Sequence, residues 1–194
     1  MDEFRSFIAL EIPKPLQIEF SYLIERLKAI FPFPAHWVKP ENIHLTLKFM
    51  GNISTSTMEL LKVGLKPIFE YLEPIALKFT ELGVFPIVRS PKILWVGMEV
   101  PAKLSQRVNK IEQLSRLLGI PPENRPFSPH LTLSRFNGER LSEENRNIAG
   151  LISTVKCDLP ENMVSRYVAI FKSDLTRQGP VYSPLVRIEL KNHG

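Results

Sequence analysis

The tetrapeptide His-Leu-Thr-Leu occurs twice in this chain, at His44–Leu47 and at His130–Leu133. Each copy runs on through a basic residue to a phenylalanine, as Lys48-Phe49 in the first and Ser134-Arg135-Phe136 in the second. Strict alternation of polar and apolar residues is the period of a β-strand, in which side chains two apart share a face. His44 and Thr46 therefore project together, as do His130 and Thr132, while Leu45, Leu47, Leu131 and Leu133 turn into apolar packing on the other side. A fold that accepts this chain has to bury one face of both strands and keep the other polar.

His130 follows His44 by 86 positions. The order strand, helix, motif strand, helix partly recurs around the two copies, which reads as an internal duplication able to set the motif strands across a pseudo-twofold axis. Phe4 to Ile12 reads as a strand stopped by Pro13, and Leu16, Phe20, Leu23, Ile24, Leu27 and Phe31 as an amphipathic helix stopped by Pro32 and Pro34. His36 to Asn42 reads as a short strand and a turn, and Ile43 to Met50 as the first motif strand. Ser56 with Glu59 suggests a capping box for a second helix through Leu72. Ile75 to Val84 and Ile93 to Val100 read as strands joined by the loop Phe85 to Pro91, and Val108 to Leu118 marks a third helix ended at Gly119. A fourth helix is expected from Ser142 through Ile152, then strands at Val155 to Leu159, Val164 to Ser173 and Val181 to Leu190. Short connections favour hairpins over long parallel crossovers. The expectation is one α+β domain over residues 1–194, in two lobes that each supply one motif strand.

Composition narrows the class. With 44% hydrophobic and 23% charged residues, disordered and collagen-like classes drop out. No apolar run approaches the roughly 20 residues needed to cross a bilayer, and the opening Met1-Asp2-Glu3-Phe4-Arg5 is unlike a secretory signal. Cys157 is the only cysteine, so neither an internal disulfide nor a cysteine metal site can form, and it reads as a half-buried structural thiol. These features point to a cytoplasmic protein without membrane attachment. The net charge of +5 suits a polyanionic ligand without requiring one.

Two imidazoles and two hydroxyls facing one gap make a set of groups for phosphodiester chemistry. One imidazole can accept a proton and the other donate one near neutral pH, and the threonines can donate to non-bridging oxygens. No metal is needed. A single strand histidine is more often structural than catalytic, but four residues repeated in order with similar flanks favour a paired site. His36 and His193 lack such pairing and read as a surface or loop residue and a tail residue. Lys48 has the parity of His44, which makes it a candidate phosphate contact or a solvated strand lysine. Trp37 is a candidate base-stacking residue or a core or rim tryptophan, and Phe49 and Phe136 are expected to pack in the lobes.

The blocks Trp37-Val38, Pro40 to Gly51, Gly83-Val84-Phe85-Pro86, Leu94 to Gly97, Pro129 to Arg135, Ser173-Asp174-Leu175 and Gly179 to Tyr182 span almost the whole chain. Together they resemble the 2H phosphoesterases, in particular the RNA 2′,3′-cyclic phosphodiesterases historically called 2′-5′ RNA ligases. The resemblance implies a bilobal fold with two antiparallel sheets facing a central cleft and helices outside. It implies metal-independent, cofactor-free hydrolysis of a 2′,3′-cyclic phosphate at an RNA or nucleotide end to a 2′-phosphate, by a monomer. By carry-over His44 would be the general acid for the leaving 3′-oxygen and His130 the base that activates water. Thr46 and Thr132 would hold the non-bridging oxygens, and Arg135 would contact phosphate if a bulge or a strand end turns it to the histidine face. His36 stands where relatives often carry Arg. Ligation through a 5′-hydroxyl and non-catalytic binding of RNA ends are the alternatives.

Overall fold

The structure, a computed structural model, describes residues 2–31, 35–87, 90–136, 148–155, 157–177 and 179–191. The elements run β1 (Glu3–Glu11), α1 (Lys14–Ile30), β2 (Ala35–Trp37), a single 3₁₀ turn (Pro40–Asn42), β3 (His44–Ser54), α2 (Thr55–Phe69), β4 (Ile75–Ile87), β5 (Ser90–Glu99), α3 (Ala102–Leu117), β6 (His130–Phe136), α4 (Ile148–Thr154), β7 (Asn162–Ser165), β8 (Tyr167–Thr176) and β9 (Gly179–Glu189). No helix among the described residues is long and apolar enough to cross a membrane.

Local chemistry accounts for the helices. Pro13 precedes α1 and a second proline sits in its first turn, where a missing N–H costs nothing. Leu16, Phe20, Leu23, Ile24 and Leu27 are its buried stripe. The cap of α2 is Ser54, whose Oγ accepts the Thr57 N–H, so the helix begins two residues before the expected capping box at Ser56. Leu104, Val108 and Ile111 are buried along α3, and Gly119, at φ +75°, takes the left-handed turn that ends it. The stop of α1 at Pro32 and Pro34 and the start of the fourth helix at Ser142 lie outside the described residues.

All nine strands form one antiparallel sheet in the order β7-β4-β5-β6-β3-β1-β8-β9, with β2 added to β6. Its two halves, β7-β4-β5-β6 and β3-β1-β8-β9, meet at the register pair Leu45↔Leu131. The two sheets expected from the resemblance are these halves, joined through their motif strands and curled into a half-barrel. Apolar side chains on one face of the sheet, including Ile8, Leu10, Leu45, Leu94, Val96, Leu131 and Ile170, form one core with α1, α2 and α3. The other face is the open concave side. The succession β1-α1-β3-α2-β4 recurs as β5-α3-β6-α4-β8, and in each half the last strand crosses to the opposite side of the sheet.

Three expectations change. The loop Phe85 to Pro91 is largely strand, since β4 and β5 remain paired to Ile87↔Ser90. Val155 to Leu159 is not a strand in its described residues; Val155, Cys157 and Leu159 pack against the core without joining the sheet. Alternation there records packing rather than pairing. The expected strand Val164 to Ser173 is interrupted at Arg166: β7 pairs with β4 at one edge, and β8 pairs with β1 in the other half.

Candidate active site

Antiparallel pairing about Leu45↔Leu131 sets His44 across from Thr132 and Thr46 across from His130. The two histidines are then diagonal neighbours, roughly 7–8 Å apart between Cα atoms in a regular ladder. Each His/Thr pair completes the other, and the arrangement maps onto itself under the pseudo-twofold. Burial follows suit: the seven residues from His44 and the seven from His130 carry the same sequence of exposed, half-buried and buried positions.

Each imidazole is held in the same way. His44 Nδ1 lies 2.7 Å from the Asn42 carbonyl oxygen, and His130 Nδ1 lies 2.7 Å from that of Ser128. A carbonyl only accepts, so Nδ1 carries the proton in both rings and the neutral form leaves Nε2 as the basic nitrogen. Asn42 is itself anchored, its Nδ2 donating to the Pro180 carbonyl of β9 at 3.1 Å. His44 stacks on Phe7 at 4.6 Å between centroids and meets the edge of Tyr182 at 5.3 Å. Around His130 the flanking rings are Phe85 at 5.1 Å and Trp95 at 6.3 Å.

Burial pulls the His44 pKa down to about 4; the bond to Asn42 opposes this, and the charges of Arg135 and His130 add to the depression. His130 is lowered from the ordinary value for the same first reason, again opposed by its carbonyl bond and assisted by Arg135. Burial raises the Tyr182 hydroxyl, with Arg135 opposing. Arg135 therefore acts on both imidazoles and on Tyr182. It is the central positive group of the concave face.

Arg135 reaches that face through a bulge. On β6 the register passes from Trp95↔Thr132 to Leu94↔Ser134, leaving Leu133 as the extra residue. After the bulge Ser134 faces the core and Arg135 faces the cleft. On β3 the register passes from Ala9↔Thr46 to Ile8↔Lys48, leaving Leu47 extra. The same parity switch corrects the sequence expectation for Lys48. Its side chain, 1% exposed, lies on the core side, where Nζ is 2.9 Å from a Glu112 carboxylate oxygen and donates to the Pro121 carbonyl at 2.8 Å. Lys48 is removed from any phosphate on the concave face. Phe49, counterpart of Arg135, is half-exposed on the cleft side near Phe7 rather than packed in its lobe, whereas Phe136 is buried.

The pairing of β2 with β6 corrects Trp37 and promotes His36. Trp37 is opposite Ser134, hence on the core side, where it packs against the buried cluster and cannot stack on a base in the cleft. His36 is opposite Arg135, exposed and on the cleft side. Sequence spacing carried no signal for this, because β2 pairs with a strand nearly a hundred residues away. His193 lies outside the described residues. The tryptophan of the concave face is Trp95, and Cys157 is half-buried with its pKa raised chiefly by burial, away from the imidazoles.

A cavity of about 310 Å³ opens beside His44. Among the described residues no group of three or more His, Cys, Asp and Glu side chains gathers as a metal site would require.

Sequence and structure comparisons agree with this geometry. The LigT-like phosphoesterase profile matches the chain twice, at residues 10–95 and 96–182, one copy for each His-Leu-Thr-Leu strand. The RNA 2′,3′-cyclic phosphodiesterase of Aquifex aeolicus is 33% identical over 76% of this chain and 77% of its own length. That of Methanothermobacter thermautotrophicus is 28% identical over 93% of this chain and 96% of its own. Among solved structures, E. coli LigT complexed with 3′-AMP superposes with a TM-score of 0.78 at 24% identity, covering 98% of this chain and all of that one. Two profile matches, each built around one of the paired histidine strands, establish that the chain belongs to the LigT-like family of the 2H phosphoesterases.

Proposed function

We propose that this chain hydrolyses 2′,3′-cyclic phosphate ends of RNA or nucleotides to 2′-phosphates, working as one unit and a monomer in the cytoplasm. The observation that carries the reading is the matched tautomer of the two imidazoles, each with Nδ1–H on a backbone carbonyl and Nε2 left for proton transfer. Relatives named RNA 2′,3′-cyclic phosphodiesterase supply the substrate class.

The phosphorus sits between the diagonal histidines. His130 Nε2 takes a proton from water as the water oxygen attacks phosphorus, and protonated His44 delivers its proton to the 3′-oxygen as the P–O3′ bond breaks. Thr46 and Thr132 donate hydroxyl hydrogen bonds to the non-bridging oxygens, and Arg135 neutralises the charge that grows on them. The cycle leaves His44 neutral and His130 protonated, and exchange with solvent resets both. The residues supply every proton the reaction moves, and the proposal assigns no step to a metal.

His44→Ala and His130→Ala, tested on a nucleoside 2′,3′-cyclic phosphate with the fold monitored by circular dichroism, should each reduce kcat by about 10²–10⁴-fold. Full turnover in either variant removes the two-histidine mechanism, and a 3′-phosphate product removes the assigned leaving group.

A further inference from the structure

The cavity beside His44 has a composition that phosphate binding does not explain. Glu11, Glu41, Asn42, Phe171 and Tyr182 are among its walls, and no lysine or arginine lines it among the described residues. Neither Glu11 nor Glu41 offers a polyanionic backbone a cation. Aromatic walls with hydrogen-bond acceptors suit instead a flat heterocycle that presents N–H groups. On the proposed mechanism, on which this inference rests, the 3′-oxygen leaves at His44, so the ribose and base of the terminal nucleotide lie on this side of the cleft.

The carboxylates differ in how they are held. Arg187 grips Glu11 in bidentate fashion, Nε to Oε1 at 3.0 Å and Nη2 to Oε2 at 2.7 Å, and the guanidinium is itself seated 3.6 Å over the Tyr167 ring. Glu11 is thus a fixed acceptor with lone pairs to spare. Glu41, in the 3₁₀ turn that precedes β3, makes no ion pair among the described residues and is free to pair with a ligand. The Nδ2 of Asn42 is committed to Pro180, so its amide is already in use.

We infer that this cavity is a base-selecting subsite in which Glu41, supported by Glu11, favours a terminal guanine and disfavours uracil. Guanine presents two adjacent donors, N1–H and N2–H, that match one carboxylate. Adenine and cytosine present a single amino group. Uracil presents one N–H flanked by two carbonyls, which a carboxylate repels, and an acceptor that the bound base covers without giving it a donor is penalised.

The test is kcat/KM for the four nucleoside 2′,3′-cyclic phosphates, with calorimetric binding of guanosine and uridine 2′-monophosphates alongside. Wild type should prefer guanosine over uridine by about tenfold or more in both measurements, from one hydrogen bond to a charged group. Glu41→Gln should bring that ratio to within about threefold, and Glu11→Gln should also lower it. Equal kcat/KM for guanosine and uridine in the wild type overturns the subsite, as does a ratio unchanged in both variants. If none of the four is turned over, the phosphodiesterase reading fails separately. Binding then decides alone: a guanosine preference abolished by Glu41→Gln upholds the subsite, and equal affinities reject it.

Discussion

Both imidazoles sit below their ordinary pKa in the free protein, His44 at about 4 and His130 lowered by a lesser burial. At pH 7 both are therefore neutral, and the protonated acid is a minority species until substrate arrives. The profile of kcat/KM reports the free enzyme. It falls on the acid side as the base gains a proton and on the alkaline side as the acid loses one, with limbs that belong to the coupled pair. Because both values lie below 6.5, the maximum of kcat/KM should lie acid of pH 6.5, with about a tenfold fall per unit on its alkaline limb. A bound phosphate anion favours the imidazolium and raises both values, so the maximum of kcat should lie at higher pH. Initial rates from pH 4 to 9 check this, and coincident maxima at or above pH 7 would contradict it.

Two bulges decide which side chains meet the cleft, and they mark where sequence reading stopped. The alternation of His-Leu-Thr-Leu puts His44, Thr46, His130 and Thr132 on one face because each His-Leu-Thr precedes its bulge, which falls on the closing leucine. Parity then failed one residue later, at Lys48, because an extra leucine on an apolar strand looks the same in sequence as a regular one. For Arg135 the sequence calls for either a bulge or a strand end, and only the structure shows which and where. The face of Trp37 is hidden for a similar reason: which face a three-residue strand presents depends on a partner strand far along the chain. The helices were legible because their stripes are local, whereas the aromatic wall of Phe7, Phe171 and Tyr182 comes from three strands and has no local signature.

The β3 bulge has an energetic consequence. Lys48 was turned into the core and is compensated by Glu112 and the Pro121 carbonyl, while Glu123 accepts the Phe49 N–H at 3.3 Å. These contacts tie β3 to the segment that leads into β6. Lys48→Met should cost about 3 kcal/mol, the lower end for breaking a buried pair because Glu112 remains partly exposed. The double variant Lys48→Met/Glu112→Leu should recover most of it, since an apolar pair removes the stranded charge. Urea midpoints of the two single variants and the double settle it; an additive double mutant argues against coupling.

On β4 and β5, Gly83 is needed because Trp95 lies directly over it. A Cβ built there would collide with Cζ2 of the indole. Gly83→Ala should displace the ring at a cost of about 1–3 kcal/mol, and because Trp95 flanks His130 and pairs with Thr132, kcat should fall as well. Near-ultraviolet circular dichroism would register the moved indole. An unchanged spectrum with unchanged kcat would mean the strand yields without disturbing the site.

At the scale of the whole molecule, charge is divided between the two sides of the cleft. The cavity beside His44 presents the Glu41 carboxylate, with Glu11 neutralised by Arg187, whereas Arg135 and the exposed His36 stand side by side on β6 and β2. A net charge of +5 adds a general attraction for polyanions. An RNA whose cyclic phosphate is held between the histidines should therefore run its upstream phosphates toward the β2 and β6 side and away from Glu11 and Glu41. Each phosphate neutralised on a single strand contributes roughly 0.7 to the slope of log affinity against log salt. A mononucleoside cyclic phosphate engages one phosphate, so the KM of a short oligoribonucleotide with the same terminal base should rise more steeply with salt, by about one further phosphate. Arg135→Gln should flatten both slopes, because on the proposed mechanism it neutralises the reacting phosphate. His36→Gln should flatten only that of the oligonucleotide. Kinetics from 50 to 500 mM KCl would measure these slopes. Equal slopes for the two substrates would place the upstream chain in solvent and limit recognition to the terminal nucleotide.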